Sequence, residues 1–313
     1  MRKAKFVNDL CFTQKLISMT YMKKTALNLA AIAVVLFFCS SASAAKIECI
    51  DHGLTGTYRT GEVRLIGPIE IGDQQKVTSC WETLTGTTKK DLKMLAELNK
   101  DEPGRYAFVE IKVPQFVVSS KGGSVSEAMK IGRFVRSKKM WVQVPADWGE
   151  CLSSCVYILA AGVVKFPWGD VGIHRPYFVS PPNQSYDTAM KSLLSQSKGY
   201  FQEMNVPDFL AEDMFSTPPS DIKMLGDVLL TKYRLNQPDM AYEEEKAVRN
   251  AAEYGLSRQE YERRRKLSEK LSKECRTSHV YVDKNNVDEA IHLATRCGIL
   301  ADERAGLKLK DSH

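Results

Sequence analysis

The segment CLSSCVYILAAGVVKFPWGDVGIHRP, residues 151–176, holds two serines between two cysteines and ends with a histidine. A serine hydroxyl beside an imidazole is the pair that acyl transfer uses, because the ring accepts the proton while the oxygen attacks a carbonyl. The two groups need to be neighbours only in space. The residues therefore predict a serine nucleophile with His174 as its general base. The competing interpretations are a serine that caps a helix, a structural histidine, and a zinc site with Cys151, Cys155 and His174 as three ligands.

A second chemical signal lies upstream, in KGGSVSEAMKIGRFVRSKK, where two glycines follow an apolar run. Glycines let the backbone approach a substrate closely, because no side chain is in the way and unusual dihedral angles are accessible. Free N–H groups at the start of a helix stabilise a developing negative charge. A glycine turn and a serine at a helix start are therefore the two halves of a site for an acyl intermediate.

The elements that must position these residues alternate between strand and helix, which predicts right-handed crossovers and a mainly parallel α/β sheet. The helix after the glycines has Ser124 or Ser126 as its cap. The predicted strands cover residues 61–72, 106–120 and 140–146, with a short one before His174, and the predicted helices cover 76–100, the segment after 124, and 154–162.

The two ends of the chain differ from its middle. Residues 22–44, MKKTALNLAAIAVVLFFCSSASA, have a dibasic start, a short apolar run, and Ala42 and Ala44 placed for signal-peptidase cleavage. They predict a periplasmic or secreted protein with no stable membrane anchor after cleavage, and residues 1–21 read as a mis-called start. At the other end, residues 238–313 are charge-dense and predict a helical C-terminal extension to a domain over 45–237.

Composition is that of a soluble globular chain, with 43% hydrophobic and 26% charged residues. The formal charge of +6 comes mostly from residues 1–44, because the rest holds 38 basic and 37 acidic residues. Net charge therefore gives no support to nucleic-acid binding. No metal-spaced array of His and Cys is present, and we expect no metal and no cofactor.

Six cysteines follow the predicted leader, an even number that suits disulfides in an oxidising compartment. Six cysteines allow 15 pairings, and the sequence alone does not select one. Neighbourhood along the chain favours Cys49 with Cys80, Cys151 with Cys155, and Cys275 with Cys297.

Taken in order, GGSVSEAMKIGRFVR, CLSSCVYILAAG and VGIHRP resemble the proteolytic subunit of Clp protease and its periplasmic relatives in the crotonase-like superfamily. The resemblance covers roughly residues 60–237, with GEVRLIGPIEIG as the leading strand and DIKMLGDVLLTKYRL as the closing helix. It implies a ClpP/crotonase-like fold. Lys121 departs from the proline that the protease subunit has before its glycines, and the cysteines around Ser153 are absent from the cytosolic enzyme.

The resemblance implies a role for each matching residue. Counting back from Ala161-Gly162 places Ser153 at the nucleophile, and His174 matches the base. The backbone N–H groups of Gly123 and Ser154 would form the oxyanion hole. Asp221 would complete the triad, with two alternatives left open, Asp187 and Asp213.

The function that follows is an exported serine hydrolase, most readily a peptidase with a peptide or protein substrate. The alternative is an inactive member of the same fold that binds a peptide or protein, with the C-terminal helices as its interaction module. Members of the family assemble into rings or trimers, so a homo-oligomer is also expected.

Overall fold

The computed structural model describes residues 45–55, 58–101, 110–111, 114–178, 180–278 and 287–307. The predicted leader, residues 22–44, and residues 1–21 lie outside this range. The strands are β1 (Lys46–Thr55), β2 (Tyr58–Ile66), β3 (Glu110–Ile111), β4 (Gln115–Ser119), β5 (Trp141–Val144), β6 (Glu150–Leu152), β7 (Val164–Pro167), β8 (Asp170–Ile173) and β9 (Lys223–Met224). The helices are α1 (Asp73–Asp101), α2 (Val125–Ser137), α3 (Cys155–Ala161), α4 (Tyr186–Glu203), α5 (Phe209–Ser216), α6 (Asp227–Lys232), α7 (Met240–Glu253), α8 (Arg258–Ser278) and α9 (Val287–Ala305).

The central sheet is mainly parallel, which confirms the mixed α/β class. Its strands run in the order β1-β2-β4-β5-β7, with β3 beside β2. Only β1 is antiparallel to its neighbour in this sheet as the structure describes it. Side chains of β2, β4 and β5 such as Val63, Phe116 and Val142 are fully buried. Burial of this kind is typical of parallel strands that have helices packed against them.

A second, smaller sheet carries the chemically interesting segment. Its order is β6-β8-β9, with β6 and β8 parallel and β9 antiparallel to β8. A bridge between Ser120 and Cys151 joins the end of β4 to β6. Since β6 and β8 are parallel neighbours, the residues that follow them, Ser153 and His174, leave the same edge of this sheet.

Helix α3 lies in the centre of the core. All seven of its side chains are buried, as expected for a helix that is apolar on every side. Helix α2 passes close to it at Gly132, where an added Cβ would clash with Tyr200 and lie 3.2 Å from the Cβ of Ala161. This space lets the Tyr200 hydroxyl donate a 2.8 Å hydrogen bond to the Tyr157 carbonyl. Of the two predicted caps of α2, Ser124 or Ser126, the structure has Ser124, whose side chain accepts from the Glu127 N–H.

The predicted closing helix over DIKMLGDVLLTKYRL is wrong in its first part. Residues Lys223 and Met224 form β9 instead, because they pair with Ile173 and Gly172 of β8. The helix in this segment, α6, begins only at Asp227. Helices α4 and α5, which pack against each other beside the core, were not predicted from the sequence.

The three C-terminal helices have a small hydrophobic cluster of their own, made of Ala251, Tyr261, Ala305 and Leu307. A disulfide between Cys275 and Cys297 joins α8 to α9. The start of α7 is tied to α2 by a 2.7 Å ion pair between Asp239 and Arg136. Across the described ranges, none of the helices combines the length and the apolar character that crossing a bilayer requires.

Candidate active site

Ser153 occupies the turn between β6 and α3 and has a left-handed backbone conformation, with φ of +57°. This region costs an L-residue about 1–2 kcal/mol. The residue is held there because its N–H donates a 2.9 Å hydrogen bond to the Gly172 carbonyl, and it is only 9% exposed. A strained residue that the surrounding structure holds in place is a frequent feature of functional sites.

A disulfide spans this turn. The Cα atoms of Cys151 and Cys155 lie 5.1 Å apart, a usual separation for a disulfide, and both residues are fully buried. The bond joins the middle of β6 to the first residue of α3, so Ser153 sits at the centre of a closed loop. The pairing also removes two of the three ligands of the zinc interpretation, which is therefore wrong.

The other two pairings that neighbourhood favours are also present. Cys49 lies at disulfide distance from Cys80, which ties β1 to α1, and Cys275 lies at disulfide distance from Cys297. All six cysteines that follow the predicted leader are therefore paired as the sequence suggested.

The glycine turn packs directly against Ser153. Both glycines have positive φ, +101° at Gly122 and +148° at Gly123. An added Cβ on Gly122 would lie 2.7 Å from the Cβ of Ser153 and 2.9 Å from the Leu152 carbonyl oxygen. One on Gly123 would clash with the backbone of Ile69. Glycine is therefore required at both positions by conformation and by space.

Two backbone N–H groups, one in the glycine turn and one in the residue that precedes α3, are the candidate oxyanion donors. The turn is fixed by Ile69, whose N–H donates to the Gly122 carbonyl at 2.9 Å and whose carbonyl accepts from the Ser124 N–H at 2.8 Å. The N–H groups of Gly123 and Ser154 donate to no other group in the described part of the chain. The Ser154 nitrogen would lie 3.1 Å from a Cβ built on Gly122. Free N–H groups beside a serine suit an oxyanion.

His174 follows the last residue of β8 and is half-buried. Its Nδ1 lies 3.1 Å from the Arg175 carbonyl oxygen. A carbonyl only accepts, so Nδ1 carries the proton in this bond and Nε2 of the neutral ring is left as an acceptor. No hydrogen bond joins Ser153 Oγ to His174 within the described residues, although catalytic hydrogen bonds often form only when substrate binds.

None of the three candidate aspartates bonds to His174 in the described structure. Asp221 is exposed, and its carboxylate accepts from the Ser220 hydroxyl at 3.4 Å. Asp213 accepts from the Tyr233 hydroxyl and from Lys223 Nζ. The Tyr233 hydrogen bond, with the nearby lysines, holds the pKa of Asp213 below its usual value. Asp187 lies in the first turn of α4.

Asp221 therefore stays a prediction as the third catalytic residue, while the Arg175 carbonyl holds the imidazole proton. Sequence patterns do not indicate that carbonyl or Thr217, whose carbonyl accepts the Arg175 N–H at 2.8 Å. Backbone carbonyls have no residue signature, so only the fold could reveal them. Two side chains beside β8, Ile222 just before β9 and Met224 in β9, are about half exposed and were also missed.

Comparison with known proteins finds parallels among solved structures alone. No family model and no curated protein matches the chain. Among solved structures it is similar to two variants of the 1510-N membrane-bound stomatin-specific protease, one of them in complex with a substrate peptide. Each is 15% identical with a TM-score of 0.35 over 59% of this chain, covering 82% and 77% of the respective protease chains. The case for function therefore depends on the chain's own residues.

Proposed function

We propose that the chain is an exported serine hydrolase of ClpP/crotonase-like fold that cleaves peptide bonds. Ser153 Oγ attacks the substrate carbonyl while Nε2 of His174 accepts the hydroxyl proton. The N–H groups of Gly123 and Ser154 then bind the oxyanion of the tetrahedral intermediate. His174 passes the proton to the leaving amine. Water then gives a proton to His174 and attacks the acyl group, and the proton returns to Ser153 Oγ as the acid product leaves.

One observation supports this proposal above the others: a buried serine in a left-handed turn, flanked by two backbone N–H groups without partners among the described residues. A serine that merely caps a helix has extended backbone and accepts from an N–H of the first turn. Ser153 does neither, and Ser154, which occupies the cap position of α3, makes no capping hydrogen bond. The capping alternative therefore has no support in the geometry.

Export is supported by the cysteines. Three pairs at disulfide distance are expected of a protein that folds in an oxidising compartment and are rare in the cytosol. We propose a periplasmic or secreted location on this ground, together with the leader-like residues 22–44. A peptide or protein is the proposed substrate.

The experiment that tests the activity is covalent labelling of the purified protein with a fluorophosphonate, alongside hydrolysis of a peptide library. Ser153→Ala should abolish labelling and lower turnover by several orders of magnitude. Ser154→Ala is the matched control, because it removes the neighbouring hydroxyl and keeps the backbone N–H. If Ser154→Ala loses labelling while Ser153→Ala retains it, the assignment of the nucleophile is wrong.

A second candidate function is a peptide-binding module without catalysis. It is favoured by the lack of a hydrogen bond between Ser153 Oγ and His174 in the described structure. This candidate predicts that the wild type is not labelled, that it still binds peptides or a partner protein, and that removing residues 238–313 abolishes partner binding. Labelling that depends on Ser153 contradicts it.

A further inference from the structure

A cavity of about 230 Å³ lies at the edge of the central sheet opposite Ser153. The candidate active site follows the carboxyl ends of β4 and β6, whereas this cavity lies where β7 begins. The Asp239 N–H donates to the Val163 carbonyl, which brings the start of α7 to the start of β7. The cavity is lined by Lys165, Asn205, Arg234, Pro238, Asp239, Met240 and Ala241.

Lys165 is the unusual member of this lining. It is only 4% exposed, yet it makes no hydrogen bond and no ion pair with any residue that the structure describes. Burial lowers the pKa of its ammonium group to about 8; the negative charge of Asp239 opposes this shift, and the positive charges of Arg136 and Arg234 reinforce it. A buried cation without a partner is costly, because desolvation is not offset by contacts to an anion.

The carboxylate of Asp239 does not offset this charge fully, because its oxygens are already engaged. They accept from Arg136 Nη2 at 2.7 Å, from Asn205 Nδ2 at 3.0 Å and from the Tyr242 N–H at 2.9 Å. Arg136 in turn has its second terminal nitrogen, Nη1, buried without a partner among the described residues. Arg136 thus engages the one carboxylate that lines the cavity, while the side chains of Lys165 and Arg234 line it without a hydrogen bond or ion pair in the described part of the chain.

The first turn of α7 adds further donors at the same place. Asp239 caps the Tyr242 N–H, while the N–H groups of Met240 and Ala241 donate to no group in the described part of the chain. Both residues line the cavity. The first turn of a helix is also where its dipole favours negative charge. Arg234, exposed and in a left-handed conformation, lies at the rim.

We propose that this cavity binds a small molecule through an oxyanion group, phosphate or carboxylate, held by Lys165, Arg234 and the first turn of α7. An oxyanion supplies the acceptors that these donors lack, and it balances the excess positive charge. The cavity is larger than a lone phosphate, and Pro238, Met240 and Ala241 give it an apolar side. The ligand therefore carries a short apolar or neutral part beside its anionic group.

The test is a titration of the folded protein at pH 7 with inorganic phosphate or with butyrate, at ionic strength matched with sodium chloride and followed by thermal unfolding. At least one of the two anions should raise the unfolding temperature with a saturable dependence, and the one that does identifies the anionic group. Lys165→Met should weaken the affinity at least tenfold. Arg234→Gln, at an exposed position that leaves the fold unaffected, should weaken it severalfold, and Lys191→Gln on α4 should leave it unchanged.

A second readout reports the site directly. With [13C]lysine, the Cε signal of Lys165 should titrate near pH 8 in the free protein and at higher pH when the anion is bound, because a bound negative charge favours the ammonium form. The proposal is overturned if the response to both anions is linear, or equal in wild type and Lys165→Met. An unchanged Lys165 titration at saturating anion overturns it too.

Discussion

The central sheet has a carboxyl edge, where its parallel strands end, and an amino edge, where they begin. The candidate active site lies at the first and the cavity at the second, and the two are built from different chemical groups. At the carboxyl edge, the candidate active site is made mainly of backbone: a left-handed serine, two glycines with positive φ and two free N–H groups. At the amino edge, the cavity is made of side-chain charge, with Lys165, Arg234 and Asp239 in its lining and Arg136 bound to the Asp239 carboxylate. The first depends on exact conformation and the second on charge balance. Their responses to mutation and to pH should therefore differ.

The largest difference is expected from a methyl group on the glycine turn. Gly122→Ala places a Cβ against Ser153 at a φ of +101°, so the turn must move and the Gly123 N–H moves with it. Loss of one oxyanion donor costs about 100-fold or more in rate. We expect the fluorophosphonate labelling rate to fall by at least that factor.

The matched control is Gly199→Ala in α4, where an added Cβ meets no atom within 4 Å. It should keep the labelling rate and stabilise the helix by about 1 kcal/mol, since alanine favours a helix over glycine by that amount. Equal labelling of the two alanine variants would mean that the glycine turn has no part in catalysis.

The amino edge should respond to pH instead. The pKa of Lys165 is lowered by burial to about 8, so the folded protein loses this proton while the unfolded chain still binds it. The free energy of unfolding should therefore rise by about 2 kcal/mol between pH 7 and pH 9.5. Urea unfolding across this range measures the effect, and Lys165→Met should not show it.

Above pH 10 the trend should reverse. Burial raises the pKa of Tyr157 to about 12, and it raises the pKa values of Tyr200 and Tyr233 as well. These groups stay protonated in the folded protein while the unfolded chain ionises, so stability falls as pH rises further. If the free energy of unfolding of Lys165→Met still rises between pH 7 and pH 9.5, the rise comes from a group other than Lys165.

The disulfide that spans Ser153 offers a smaller change at the carboxyl edge. Replacing both Cys151 and Cys155 with alanine frees the turn, and we expect the labelling rate to fall roughly tenfold, since small displacements of reacting groups are costly. The control is the double variant Cys275→Ala and Cys297→Ala, which removes the disulfide between α8 and α9. If both double variants lose labelling equally, the disulfide acts through overall stability and not through the turn.

The smallest effect is one of stability. Ser153→Gly removes the left-handed strain and should raise the free energy of unfolding by about 1 kcal/mol while abolishing labelling. Ser124→Gly serves as the comparison, because that serine has extended backbone and caps α2, so its loss should not stabilise the protein. If Ser153→Gly lowers the free energy of unfolding instead, the Ser153 hydroxyl has a structural role.

The same contrast explains what could be predicted from the sequence. The parallel sheet, α2 after the glycines and the helix after Ser153 were predicted, because local apolar patterns and glycine pairs specify them. The cysteine pairs were also anticipated from neighbourhood. Strand β9 was not predicted, because its two residues form a strand only through pairing with β8, which is distant in sequence.

The charged cavity could not be predicted from the sequence for a related reason. Its groups come from β7, the turn after α4, the segment after α6 and the start of α7, which are distant in sequence and share no motif. A lysine in the short run VVKFP gives no sign that it will be buried. The orientation of His174 by the Arg175 carbonyl was hidden too, because a backbone carbonyl is common to every residue.

The central claim is that Ser153 is a nucleophile, and one measurement tests it most directly. The wild-type protein is treated with a fluorophosphonate, digested, and mapped by mass spectrometry for the residue that carries the phosphonyl group. We expect one adduct, on Ser153, that is absent from Ser153→Ala and greatly reduced in His174→Gln. An unmodified Ser153 after prolonged treatment, or an adduct of equal yield on another serine, would contradict it.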